Sequence, residues 1–112
     1  MKYEMNLESQ FFYYLKNGTK RIEIRLNDEK RSKLKKGDII RFKKFLNESE
    51  YVDTKVEELL YFDNFSTLVN SIDITLLADK EFDKNDLLKI LNRIYSLELQ
   101  NKYGVVGIKV SI

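Results

Sequence analysis

Gly18-Thr19-Lys20-Arg21-Ile22-Glu23-Ile24-Arg25, GTKRIEIR, is the stretch on which the reading of this chain turns. Isoleucines alternate with charged residues at the period of two that sends successive side chains to opposite faces of a β-strand. Ile22, Ile24 and Leu26 share one face, Arg21, Glu23 and Arg25 share the other, and Lys20 has the parity of the isoleucines. The charges are dense and mostly basic. They form either a solvated outer face or the floor of a site.

Residues 2–6 alternate weakly and predict a first strand. Leu7, Phe11, Phe12, Tyr14 and Leu15 then recur at helical spacing and predict a helix over 8–17, which Asn17-Gly18 ends because glycine adopts the left-handed backbone at no steric cost. Beyond the charged strand, residues 27–36 (NDEKRSKLKK) hold turn formers and one apolar residue, Leu34, which predicts a surface turn with a short helical excursion. Gly37-Asp38 opens IIRFKKF, with Ile40 and Phe42 on one face and Ile39, Arg41, Lys43 and Phe45 on the other. The segment LNESE reads as a hairpin loop, with residues 51–62 as the returning strand.

Phe65, Leu68, Val69 and Ile72 predict a second short helix, while residues 73–82 carry no decisive pattern. Asp83 is a fitting N-cap for a helix whose Leu87, Leu88, Ile90, Leu91, Ile94 and Tyr95 form a broad apolar face. The chain closes on KYGVVGIKVSI, where Val106, Ile108, Val110 and Ile112 alternate as in a last strand. Strands interleaved with short helices, with a strand at each end, predict a small barrel closed by its termini and decorated with helices.

A chain of 112 residues, 43% hydrophobic and 34% charged, with seven Phe and seven Tyr, predicts one folded domain over residues 1–112. Cysteine and histidine are both absent, so thiolate chemistry, disulfides and the commonest general base are excluded, and no metal or cofactor is called for. Any catalysis rests on Lys, Glu, Asp, Tyr, Ser or Thr. No apolar run approaches the roughly 20 residues that span a bilayer, and the acidic start MKYEMNLESQ is unlike a signal peptide, so the expected location is cytoplasmic. The net charge of +2 is unevenly placed: residues 16–44 carry twelve Lys/Arg against four Asp/Glu, a local +8, and the other 83 residues carry −6.

Gly18-x-Lys20-x-x-x-x-Arg25, then Gly37-Asp38-Ile39-Ile40, then Phe65-x-x-Leu68, then Tyr103-Gly104-Val105-Val106, in this order, resemble the ASCH-domain family of the PUA-like superfamily. The resemblance covers essentially the whole chain. It implies an α+β fold built on a partly open β-barrel of about five to six strands with short peripheral helices, and a cleft beside the G-x-K segment. It also implies RNA or a modified nucleoside as partner. Some small bacterial members that this chain resembles are metal-independent amidohydrolases that remove the acetyl group from N4-acetylcytidine through a Lys, a Thr and a Glu. The Lys falls on Lys20, the Thr position is Glu23, and the Glu position falls on Lys80, flanked by Asp79 and Glu81. On that resemblance the catalytic candidates are Lys20, Glu23 and Glu81.

The ligand-binding candidates are Lys20, Arg21, Glu23, Arg25, Arg41 and Lys43. Arg25 offers a planar fork to a phosphate or a base edge. Lys30, Arg31, Lys33, Lys35 and Lys36, followed by Arg41, Lys43 and Lys44 with Phe42 and Phe45 between them, have the basic and aromatic mixture of a surface that tracks single-stranded nucleic acid. The expected function is recognition of RNA or a nucleoside. Deacylation of an acylated cytidine is the alternative, and docking of an acidic protein the third reading.

Overall fold

In the computed structural model, which describes residues 2–112, the charged strand lies at one edge of a five-stranded mixed sheet. The elements are β1 (Lys2–Leu7), α1 (Ser9–Lys16), β2 (Ile22–Leu26), a 3₁₀ turn (Arg31–Lys33), β3 (Ile39–Lys44), β4 (Asn47–Phe62), α2 (Phe65–Ser71), α3 (Ile74–Leu77), α4 (Lys84–Ile94), α5 (Leu97–Tyr103) and β5 (Val105–Ser111). The order across the sheet is β1-β3-β4-β5-β2, with β1 parallel to β3 and every other pair antiparallel. Two consequences follow. β1 and β2 are the two free edges, and they run in opposite senses to each other. The sheet curls into a half-barrel whose open seam lies between them, the α+β architecture of a PUA-like ASCH fold.

Apolar residues on the two faces build two cores. Met5, Leu7, Phe12, Ile40, Phe42, Val56 and Ile108 fill the inside of the curl under α1. Ile22, Ile24, Leu26, Phe65, Leu68, Leu87 and Leu91 join β2 to α2 and α4. Because helices cover β2, four of its five residues are buried, Glu23 among them. The alternation of the sequence is therefore no guide to solvent here: the charged face of β2 is an interior face.

The sequence-based elements hold with local differences. The β3–β4 connection is a tight turn at Phe45-Leu46, with Leu46 at φ +68°, and LNESE is not a loop because β4 begins at Asn47. Residues 73–82 hold the single-turn α3, capped by the Asp73 carboxylate accepting from the Thr75 N–H at 2.9 Å. The helix α5 has no counterpart in the apolar pattern, since Leu97 and Leu99 are exposed and its buried residue is Gln100. The Gln100 amide accepts from Phe65 N–H at 2.9 Å and donates to Asn92 Oδ1 at 2.9 Å and to the Tyr95 carbonyl at 3.1 Å, tying α2, α4 and α5 together. Gly104, at φ +71° and ψ −178°, then turns the chain into β5 through a conformation open essentially to glycine alone. Among the described residues no helix is long and apolar enough to cross a membrane.

Candidate functional site

Lys20 lies just before β2, where strand parity does not apply. The backbone at Arg21 is clamped on both sides, its N–H donating to Leu76 O at 2.8 Å and its carbonyl accepting from Val110 N–H at 2.9 Å. This turns the Lys20 side chain inward, where it is 2% exposed. Its ammonium donates to Ile22 O at 2.6 Å and Leu77 O at 2.8 Å, and lies 3.2 Å from Glu23 Oε1. Three N–H groups meet three acceptors. An ammonium has no further donor to give.

Glu23 is the hub. Its Oε1 also accepts from the Ile24 N–H at 3.1 Å, and its Oε2 accepts from Arg25 Nε at 2.8 Å and lies 2.7 Å from Arg25 Nη2. Arg25 Nη2 in turn donates to Asn6 O at 2.7 Å, and Tyr95 lies near enough to the guanidinium to favour its charged form. Burial alone would raise the Glu23 carboxyl, but the charges and hydrogen bonds of Arg25 and Lys20 outweigh it and hold the group below the usual carboxylate value. Burial pushes the Lys20 ammonium down against the pull of Glu23. For Arg25 burial works downward too, and the Glu23 charge overcomes it, so the guanidinium is held charged. The cluster is two cations around one anion.

Above it opens a cavity of about 220 Å³. The floor is Lys20, Glu23 and Arg25; the walls are Leu7 and Phe11 at one side, Leu77 beneath, and Ile90, Leu91, Ile94 and Tyr95 of α4 and its end at the other. The amphipathic pattern of α4 thus serves two ends: Leu87 and Leu91 pack into the core and also border the cleft, and Ile90 and Ile94 extend its wall outward. Such a space has a polar floor and apolar sides. It suits a flat, partly apolar group with a polar edge.

The structure brings three of the expected site residues together and leaves the others elsewhere. Arg21 is turned outward and donates to Gly18 O at 3.0 Å. Arg41 forms a bidentate pair with Asp53 (2.7 and 3.0 Å) and stacks on the Tyr51 ring, 3.9 Å from its centre. Lys43 pairs with Glu4 at 2.7 Å. Both belong to the outer face of β3 and do not line the cavity, because their strand sits next to β1 and faces away from the seam at those positions. Glu81 lies in the exposed bend before α4, its N–H bonded to Asp79 Oδ1 at 3.1 Å, and it too is outside the cavity. The basic stretch is also less positive than its count, because Lys16 and Lys44 pair with Glu50 and the β3 cations take acids from β1 and β4.

Asn6 and Tyr95 are site residues that the sequence did not single out. Nothing in the linear pattern joins Asn6 to Arg25, nineteen residues apart. Tyr95 was legible as part of an apolar face, and its polar end was not.

The model of the ASCH domain matches residues 5–112. Among solved structures, the chain is similar to the crystal structure of the hypothetical protein PH0355, with 32% identity and a TM-score of 0.86, covering 99% of this chain and 98% of that one. It is also similar to the solution structure of protein PF0455 from Pyrococcus furiosus, with 29% identity and a TM-score of 0.78, covering 99% and 96%. A search of curated proteins finds no significant match.

Proposed function

We propose, for a chain that belongs to the ASCH-domain family and so has a general RNA-binding or nucleoside-processing fold, that the seam cleft holds one nucleobase of an RNA or a modified nucleoside. The observation that carries this reading is the buried Lys20–Glu23–Arg25 cluster at the floor of an apolar-walled cavity. Burying Lys20 and Glu23, with Arg25 mostly covered beside them, costs free energy that an all-apolar floor would not incur, which supports a ligand-holding role. The cavity of about 220 Å³ is smaller than the roughly 300–1,000 Å³ pockets that take drug-sized ligands, so it suits one base and not two.

The chemistry of the floor favours a base edge that sets an amino group beside an acceptor. Glu23, its lone pairs already taken by Lys20, Ile24 and Arg25, presents a negative charge that favours an amine over a carbonyl, and Arg25 Nη1, which bonds neither Glu23 nor Asn6, has N–H groups for a carbonyl or ring nitrogen. Cytosine has such an edge. Uracil puts a carbonyl where the amine would be, opposite an anion.

Titration of cytidine and uridine into the protein, followed by amide chemical shifts, tests the reading. Cytidine is expected to move resonances of β2 and α4 and to bind at least about tenfold more tightly than uridine. Ile90→Trp, which fills the cavity without touching the charges, is expected to abolish binding. Equal affinity for the two nucleosides, or binding that survives Ile90→Trp, overturns it. Deacylation of an acylated cytidine at the same cleft is a second reading, favoured by one observation, the 3.2 Å approach of Lys20 to a carboxylate.

A further inference from the structure

A second cavity borders the same seam. It is a broad open groove of about 720 Å³, lined by Tyr3 from β1, by Asp28, Glu29, Lys30, Arg31 and Lys33 from the segment that follows β2, and by Tyr103 at the end of α5. The first cleft touches β1 at Asn6-Leu7 and β2 at Glu23–Arg25. Since β1 and β2 run in opposite senses, going back along β1 from Asn6 to Tyr3 is going forward along β2 from Arg25 to Asp28. Both cavities therefore bracket one line, the open edge of the half-barrel.

The groove differs in character from the first cleft and from the outer face of β3. Arg31 is engaged with Asp28, its Nη1 3.3 Å from Oδ2. Among the described residues, Lys30 and Lys33 lie in no ion pair, in contrast to Lys16, Arg41, Lys43 and Lys44, which all do. Two lysines outside any ion pair, with the Glu29 carboxylate near them, stand beside two tyrosines: Tyr3, partly buried against the core, and Tyr103, 37% exposed, with the Lys102 ammonium 5.2 Å from its ring centre. Free cations with aromatic rings between them are what a single strand of nucleic acid requires, phosphates for the first and base faces for the second.

From this juxtaposition we propose that the ligand is a single-stranded RNA of two or more nucleotides laid along the seam, with one base in the Lys20–Glu23–Arg25 cleft, a neighbouring base on Tyr103, and the phosphates beside Lys30 and Lys33. The proposal rests on the nucleobase reading of the cleft and extends it from a free nucleoside to a strand. The three residue steps from Tyr3 to Asn6 span about 10 Å of strand. Stacked bases step by about 3.4 Å, so the two bases are held apart and unstacked, which a single strand allows and a duplex does not.

The probes are cytidine and a fluorescein-labelled RNA tetranucleotide containing cytidine, each titrated into wild type, Tyr103→Ala and the double variant Lys30→Gln/Lys33→Gln. All three substitutions are at the surface, and circular dichroism checks that each variant folds. The tetranucleotide is expected to bind wild type at least about tenfold more tightly than cytidine, with Tyr103→Ala losing most of that gain. The double variant is expected to lower the slope of log K against log salt by about 1.4, as two lost single-strand phosphate contacts predict. Cytidine affinity is expected to be the same in all three proteins. If cytidine binds and the tetranucleotide binds no better, or if the variants keep full tetranucleotide affinity and salt slope, the groove has no such role while the cleft reading stands. If neither probe binds wild type, both fall.

Discussion

Arg25 Nη2 lies 2.7 Å from the carbonyl oxygen of Asn6, a bond that crosses from one free edge of the sheet to the other. Where a closed barrel would join β1 to β2 by a ladder of backbone hydrogen bonds, among the described residues the bond across the seam comes from one guanidinium. The same group is held by Glu23, so the width of the seam and the charge of the cleft floor are set by one side chain.

Arg25→Lys tests that double duty. A lysine keeps the charge and loses the fork, so it cannot reach Glu23 and Asn6 together. The expected outcome is a loss of about 1–3 kcal/mol of stability, as for a hydrogen bond to a charged group left unmade, and a loss of at least about tenfold in cytidine affinity. Urea unfolding and titration check the two effects separately. Unchanged values in both would mean that the seam is held by packing alone.

Glu23→Gln and Lys20→Met are expected to differ in a way that a simple count of lost contacts does not predict. Removing the Glu23 charge leaves two buried cations facing each other, which should cost about 3–5 kcal/mol. Removing the Lys20 charge leaves the Glu23–Arg25 pair neutral and intact; the unpaired Ile22 and Leu77 carbonyls cost about 1–3 kcal/mol each, but this is offset by the several kcal/mol no longer spent on desolvating an ammonium. Thermal unfolding should therefore rank Lys20→Met above Glu23→Gln. The reverse order would show that Lys20, not Glu23, is the hub.

The same cluster sets the direction of two pH dependences. The Glu23 carboxyl is held below its ordinary 4.5, so the folded state binds that proton more weakly than the unfolded chain; its stabilisation is complete above 4.5 and is lost as pH falls through the lower folded value. Lys20 is also pushed below its ordinary 10.5, and here the sign runs the other way for neutral solution. As pH falls from 10.5 the unfolded chain takes up the proton first, so a charged Lys20 subtracts stability at neutral pH. The difference in unfolding free energy between wild type and Lys20→Met should thus shift in favour of wild type as pH rises toward 10.5. A flat difference across that range would mean that the lysine is not shifted by folding.

Much of the architecture was legible because apolar side chains carry it. The alternation in β2, β3 and β5, the helical spacing in α1 and α4 and the glycine stops marked most of the elements. What escaped has a common cause: polar groups organise it. The helix α5 is anchored by the Gln100 amide, and α3 is a single turn under an aspartate cap. The site divides in the same way. Lys20, Glu23 and Arg25 are close in sequence and were found together. Arg41 and Lys43 were grouped with them by charge alone, and the fold assigns them partners, Asp53 and Glu4, that no linear pattern connects to them. Asn6 and Tyr95 enter through the curl of the sheet, which only the tertiary structure shows.

The last prediction concerns turnover. Hydrolysis of an amide in a cleft without histidine, cysteine or metal ligands needs a nucleophile, or a water activated by a base, together with a group that returns the proton to the leaving amine. On the resemblance drawn from the sequence, the hydroxyl position of the amidohydrolases falls on Glu23, whose two oxygens are committed to Lys20, Ile24 and Arg25. Lys20 is pushed down by burial, as a base would need, but all three of its N–H groups are taken by two carbonyls and a carboxylate, so the ammonium points at the protein and not at the cavity. Glu81, the remaining carboxylate candidate, lies outside the cavity. Purified protein incubated with N4-acetylcytidine is therefore expected to bind it and release no cytidine above the uncatalysed rate, as followed by chromatography. Glu23→Thr, which restores a hydroxyl beside Lys20, is the variant in which turnover should first appear if the cleft has the remaining chemistry. Cytidine release by wild type that vanishes in Lys20→Met would instead show that the lysine and carboxylate suffice, with the ion pair opening when substrate enters.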